Sequence, residues 1–147
     1  MTDQFVLAIG DFHIPNRAYD IPVSFKEYLV SGKITNVLCT GNIGNNDTFN
    51  YIKRISNSFY MVRGDIDEME GLPEYKKVTI NGFNILILHG HQVIPFDDDS
   101  SLLMLAREYD ADIVISGHTH IQSFREVAGV YLINPGSATG AFTTEEV

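Results

Sequence analysis

F-V-L-A-I-G-D-F-H (Phe5–His13) runs from an apolar stretch through a glycine to a carboxylate and an imidazole, Asp11 and His13. The same order recurs downstream. F-N-I-L-I-L-H-G-H (Phe83–His91) ends in His89 and His91, and D-I-V-I-S-G-H-T-H (Asp112–His120) ends in His118 and His120. All five histidines of the chain therefore follow apolar runs directly. Short apolar runs bounded by glycine read as strands buried on both faces. Polar groups at their carboxyl ends are how an α/β sheet builds a site. Histidines scattered through loops would not keep one place in the strand rhythm.

Outward from these runs, Val23–Val30 has helical spacing, with Pro22 before it and Gly32 after it as start and stop signals. Asn36–Thr40 is a second strand, ended by Gly41, and Phe59–Val62 a third, ended by R-G-D. Between them Asp47 is the expected N-cap of a helix through Ile55, with Phe49, Ile52 and Ile55 on one face. Tyr75–Ile80 and Phe83–Leu88 flank Asn81-Gly82, a strong hairpin signal. Asp97–Asp99 precedes the apolar-periodic Leu102–Tyr109 and reads as a capped, favourably charged helix start rather than a further metal site. Ile113–Ser116, Ile121–Val127 and Val130–Ile133 are further strands, and Asn134–Gly140 is a turn-rich loop with an expected structural role.

Strand–helix alternation giving way to strands predicts an α/β start feeding a second sheet, a sandwich within one domain over residues 1–147. Few residues follow Val130–Ile133, and a layered sandwich would want one or two more strands to cover its last edge.

A chain of 147 residues with 44% hydrophobic and 20% charged content has the composition of one soluble globular domain. Its apolar runs are far too short to span a bilayer, and no basic region precedes the first one, so neither a spanning helix nor a signal peptide is expected. The lone Cys39 suits a reducing, cytoplasmic compartment and a place in the core. A net charge of −9 argues against nucleic acid as a partner, and against unaided binding to anionic lipid.

Candidate ligands fall in five segments: Asp11/His13, Asn42, Asp65/Asp67, His89/His91 and His118/His120. Carboxylate with imidazole suits Mn, Fe or Zn. Six or seven ligands exceed a four-coordinate structural zinc site, so two metals in one pocket fit the number better.

G-D-F-H, T-G-N, R-G-D-x-D, H-G-H and G-H-T-H, in this order, resemble the motif set of the calcineurin-like metallophosphoesterases along nearly the whole chain. The resemblance implies an α-β-β-α sandwich of two sheets flanked by helices, here without the last strands of the family fold. It implies Asp11, His13 and His120 at a first metal, Asp65, His89 and His118 at a second, and Asn42 between them. His91 would be a ligand or a neighbour of the pocket. Active relatives carry a bridging aspartate at the position of Asn42, and many carry a general-acid histidine where this chain has Ile66 and Asp67. An amide lacks the charge and paired oxygens of a carboxylate. Isoleucine cannot protonate a leaving group, a contribution typically worth about 10²–10⁴-fold. Weakly bound Mn or Zn in a catalytically degraded pocket is the expectation.

L-C-T-G-N, V-R-G-D-x-D-E, H-G-H-Q-V-I-P and N-P-G-S-A-T-G-A resemble the branch of this family that serves in the retromer coat. That resemblance implies a non-catalytic scaffold in endosome-to-Golgi transport. Its partners would be a large helical solenoid of the vacuolar protein sorting 35 type and the 26-type subunit, with membrane contact only through the complex. Val93-Ile94-Pro95-Phe96, an apolar run beside a ligand segment, would be the docking surface, unless it folds back onto the core. The alternative function is a small cytosolic two-metal phosphodiesterase.

Overall fold

The computed structural model describes residues 3–141. Strands β1 (Val6–Ile9), β2 (Asn36–Cys39) and β3 (Ser58–Met61) form a parallel sheet in that order, with helices α1 (Val23–Leu29) and α2 (Asn46–Lys53) in the two crossovers. A second sheet holds β4 (Tyr75–Ile80), β5 (Phe83–Leu88), β6 (Ile113–Ile115), β7 (Ser123–Val127) and β8 (Val130–Asn134) in the order β4-β5-β6-β8-β7. Its centre, β5-β6-β8, is parallel and its two edge strands are antiparallel. Helix α3 (Asp99–Glu108) lies between β5 and β6 in the chain.

The period of two in the strands builds three apolar layers. On β2, Val37 and Cys39 pack with Leu29 and Ile52 of the helices, while Leu38 joins Ile85, Ile87 and Ile115 of the other sheet. On β5 the neighbours Leu86 and Leu88 turn the other way, onto Leu102 and Ala106 of α3. Strands covered on both faces have no reason to alternate with polar residues, which is why they read as continuous apolar runs. Cys39 is fully buried, and burial pushes its thiol pKa up to about 12, so it behaves as a core residue.

The cap of α2 differs from the expectation. Asn45, not Asp47, takes the Thr48 N–H on its side chain at 2.9 Å. Both residue types can cap, but Asn45 holds the extended backbone a cap requires, while Asp47 sits in the first turn, where its charge favours the helix dipole. The acidic run before α3 is a helix start, as expected: Asp98 accepts from Ser101 N at 3.0 Å and from its hydroxyl at 2.8 Å. The Asn81-Gly82 hairpin pairs Ile80 with Phe83, and both turn residues have the positive φ of a type I′ turn. β7 begins at Ser123 and not at Ile121, because its partner β8 ends at Asn134 opposite Ser123, and the chain beyond it passes through Pro135, which has no N–H, and Gly136 at φ 70°.

Among the described residues no helix is long and apolar enough to cross a membrane. The topology delivers one consequence for function. β1, β2, β3, β5 and β6 all release their chains at the same end of the sandwich, and every expected ligand lies just past one of those strand ends.

Candidate metal centre

The loops after β1 and β2 are zipped together. Asp11 N donates to Gly41 O at 2.9 Å, His13 N to Asn42 O at 3.0 Å and Ile14 N to Ile43 O at 3.0 Å. Asp11, His13, Asn42, His118 and His120 all have positive φ, between 49° and 76°. Non-glycine residues take this region at a cost, and such a cluster marks a functional constraint rather than chance. The Asn134–Gly140 loop straps the site from outside, with Ser137 Oγ donating to Asp11 O at 2.6 Å and Thr139 Oγ1 to Phe12 O at 2.8 Å. At Gly117 a side chain would meet Asp11 Oδ2 at 2.6 Å, so a glycine is required for the carboxylate to enter.

Two ligand groups result: Asp11, His13 and His120, and Asp65, His89 and His118. In the first, the Nε2 atoms of His13 and His120 are 3.1 Å apart. Asp11 Oδ1 lies 3.7 Å from His13 Nε2, 3.5 Å from His120 Nε2 and 3.6 Å from His89 Nε2. In the second, His89 Nε2 stands 3.3 Å from both Asp65 Oδ1 and His118 Nδ1, and Asp65 Oδ2 is 3.9 Å from His118 Nδ1. Ions bound at about 2.0–2.2 Å hold their ligand atoms roughly 3–3.5 Å apart, close to these separations.

The surroundings also suit a cation. Asp11 Oδ1 is buried without a hydrogen-bond partner while three imidazoles face it. His89 Nδ1 lies 2.7 Å from Thr40 O and His120 Nδ1 lies 3.1 Å from Ala141 O, so each ring donates outward and turns Nε2 into the pocket. This arrangement fixes the tautomer a metal needs. Burial opposes the Asp11 carboxylate, but the imidazoles of His120, His13 and His89 outweigh it and hold its pKa well below the ordinary range. The His89 imidazole holds Asp65 low in the same way, against burial. Burial works against protonated His89, yet Asp65 and Asp11 raise its pKa, and Asp11 raises that of His120. These residues fit a pair of Mn or Zn ions, which would supply Lewis acidity and a hydroxide for phosphoester attack.

Asn42 lies between the groups, in an orientation the sequence does not reveal. Its Nδ2 donates to Asp65 Oδ1 at 2.7 Å and lies 3.0 Å from His89 Nε2, while its Oδ1 accepts the Ile66 N–H at 3.1 Å. The amide faces the ligands with a donor. Ile66, half-exposed, lines a cleft of about 1030 Å³ beside the pocket together with Arg17, Arg63 and Phe49. Asp67 braces the loop, accepting from the backbone N–H groups of Gly64, Asn42 and Ile43. His91 stands outside both groups, with Nε2 3.9 Å from Glu74, and burial and the charge of His89 lower its pKa.

The apolar loop divides. Val93 is 3% exposed and packs with Leu102 and Ala106, which corrects its expected place on a docking surface. The turn that donates Val93 N to Gly90 O folds it under α3. Ile94 is 79% and Phe96 41% exposed, and Pro95 is exposed between them, so these three form an apolar ridge at the pocket rim. Sequence reasoning missed Thr40, whose carbonyl carries no side-chain signal, and Arg125, which grips Asp97 and Asp99 from a distant strand.

Residues 5–147 match the calcineurin-like phosphoesterase superfamily domain. The vacuolar protein sorting-associated protein 29 of Schizosaccharomyces pombe is 41% identical over 92% of this chain and 73% of its own length. Among solved structures, Vps29 of Entamoeba histolytica complexed with zinc is 46% identical, covering 95% of this chain and 77% of that one at a TM-score of 0.89. Vacuolar Protein Sorting 29 of Cryptosporidium parvum is 41% identical with the same coverage, at a TM-score of 0.92. The match runs through both sheets and through every strand end that bears a ligand, and on it the chain belongs to the calcineurin-like phosphoesterase superfamily.

Proposed function

We propose that this chain is a non-catalytic scaffold subunit of the retromer complex, working in endosome-to-Golgi retrograde transport from the cytoplasmic side. It docks a large solenoid subunit of the vacuolar protein sorting 35 type, joins the 26-type subunit through the complex, and reaches the endosome only indirectly. The observation that carries this reading is the exposed Ile94-Pro95-Phe96 ridge beside the pocket. Apolar side chains held out at a rim, with buried Val93 as their root, suit a protein interface better than solvent. Similarity to vacuolar protein sorting-associated protein 29 over most of the chain supports it. The pocket's chemistry is consistent with it: Asn42 offers the ligands a donor, and Ile66 offers no proton.

The test is Ile94→Asp. A charge buried at the centre of an interface costs several kcal/mol, so binding to the solenoid should be lost while melting stays within about 2 °C of the wild type. Glu27→Ala, on the exposed side of α1, is the control and should bind normally. A folded Ile94→Asp protein that still binds places the docking surface elsewhere.

A two-metal phosphodiesterase is the second reading, favoured by the two intact ligand groups and the cleft beside them. Turnover of a chromogenic phosphodiester with manganese, at about 1 s⁻¹ or faster, would establish it over the scaffold reading.

A further inference from the structure

Asp67 is the carboxylate of the R-G-D-x-D segment that joins neither ligand group. Strands β2 and β3 run parallel, and their backbone pairing reaches as far as Val62 N, which donates to Cys39 O at 3.1 Å. Past that bond the chain leaving β2 carries Asn42 and the chain leaving β3 carries Asp65, and side chains take over the joining. Asp67 Oδ2 accepts from Gly64 N at 2.7 Å and from Asn42 N at 2.9 Å, and its Oδ1 accepts from Ile43 N at 3.3 Å. Asn42 answers in the other direction, with Nδ2 donating to Asp65 Oδ1 at 2.7 Å and Oδ1 accepting from Ile66 N at 3.1 Å. The two side chains close a ring across the gap.

The backbone is cleared for this crossing. At Gly41 a side chain would meet Asp67 Oδ2 at 2.8 Å and Gly64 N at 2.6 Å, and at Gly64 it would run into the Asn42 amide. The glycines of T-G-N and R-G-D are therefore both needed to admit the carboxylate and the amide. Asn42 itself stands at φ 58°, a left-handed backbone position that its surroundings must hold. Bonds from backbone N–H groups to a carboxylate are charge-assisted and roughly twice as strong as neutral ones. Asp67 supplies that hold, as one anion on which three N–H groups from two loops converge.

We propose that Asp67 is the positioning residue of the second ligand group. It is not itself a ligand; it sets where Asp65 and Asn42 stand against His89, whose Nε2 lies 3.3 Å from Asp65 Oδ1 and 3.0 Å from Asn42 Nδ2. The first group has other supports. Asp11 is fixed through Gly41 O, Ser137 Oγ and His118 N, and His120 through Ala141 O. Removing the Asp67 carboxylate therefore weakens one group selectively. The role concerns the metal centre alone and is independent of the docking ridge.

The test is Asp67→Ala, read by calorimetric zinc titration and by the visible absorption of bound cobalt. Asp65→Ala, which removes a ligand, identifies the titration step that belongs to the second group. In Asp67→Ala that step should weaken about tenfold, the lower end for a residue that orients ligands, while the first group keeps its wild-type affinity. Cobalt at the second group should change the shape of its absorption, because Asp65 reaches it from another angle. A residue that only stabilised the fold would lower the melting temperature and leave that spectrum alone. Formate is the missing carboxylate without its stem, so adding it to Asp67→Ala should recover the second step relative to wild type in the same buffer. If Asp67→Ala does not fold, Asp67→Asn decides. It can keep one oxygen on Gly64 N and Asn42 N but turns an amide donor onto Ile43 N, so the same selective loss should appear in smaller measure. An unchanged second step in the folded variant overturns the proposal, as does equal weakening of both groups with an unaltered cobalt spectrum. A second step that weakens but does not respond to formate also overturns it, and so does wild-type protein that takes up no zinc.

Discussion

The two ligand groups share one pocket but are built differently. Asp11 is fully buried, and the side chains of His13 and His120 are only 4% and 5% exposed. They are strapped by the Asn134–Gly140 loop and by paired backbone from β1 and β2. Asp65 of the second group is 38% exposed, and it faces an amide donor where a bridging carboxylate would add charge. That group also touches the exposed apolar ridge at Phe96 through His118. Two ligand groups of like composition thus stand in unequal surroundings. The first group is part of the fold's architecture, whereas the second keeps His89 fully buried but opens to solvent at Asp65, where an amide donor stands in for a charge.

Removing one carboxylate from each group separates them most strongly. Asp11→Ala takes away the oxygen that three imidazoles face and the acceptor of the His118 N–H. We expect zinc affinity at the first group to fall about 100-fold, the upper range for altered metal-site contacts. Losing a buried, hydrogen-bonded charge should also cost about 3 kcal/mol or more of stability. Asp65→Ala should abolish second-group binding but cost less stability than Asp11→Ala, because its carboxylate is already partly in water. Calorimetry with thermal melts reads both. Equal loss of stability in the two variants would erase the distinction between an architectural and an open group.

Much of this was legible in the sequence, for a physical reason. Strands sandwiched between layers are apolar on both faces, so FVLAI, NILIL and IVI announce both the sheets and the places where ligands follow. The two groups that the family resemblance implies, Asp11/His13/His120 and Asp65/His89/His118, stand close enough to hold an ion each. What was not legible depends on backbone and on distance. The cap of α2 was decided by which of two competent residues had extended backbone. Val93 looked like its neighbours until the turn at Gly90 fixed which of the four goes under α3. The orientation of the Asn42 amide is set by the Ile66 N–H, a backbone group that sequence does not display.

The same amide can be exchanged for a charge. Asn42→Asp replaces a donor aimed at Asp65 and His89 with an acceptor carrying charge. If the missing bridging charge is what makes the two groups unequal, zinc affinity should rise about tenfold, most of it at the second group, and the two binding steps should converge. Adding Ile66→His should then raise any trace phosphodiesterase turnover. Affinity unchanged by Asn42→Asp would mean that exposure of Asp65, and not lost charge, separates the groups.

The smallest expected effect is on pH, and its sign follows from the carboxylate–imidazole pairs. Asp11 and Asp65 have lowered pKa values, so their pairs stabilise the metal-free fold above about pH 4, the ordinary carboxylate value, and that support fades as pH falls toward the lowered values. His89 and His120 have raised values, so their contribution is complete below about pH 6.5 and is lost as pH rises through the raised values. Metal-free protein should therefore melt highest between about pH 4 and 6.5, and fall by a few degrees as pH rises through the raised imidazole values, at about 2–4 °C per kcal/mol for a chain of this size. Zinc needs both imidazoles neutral, so added zinc should reverse the trend and move the optimum upward. Asp65→Ala separates the groups once more. It removes the partner that raises His89, so the alkaline fall should shrink, leaving the His120–Asp11 pair to account for what remains. A metal-free protein whose melting temperature climbs steadily from pH 5.5 to pH 8 would show that these pairs do not hold the strand ends together.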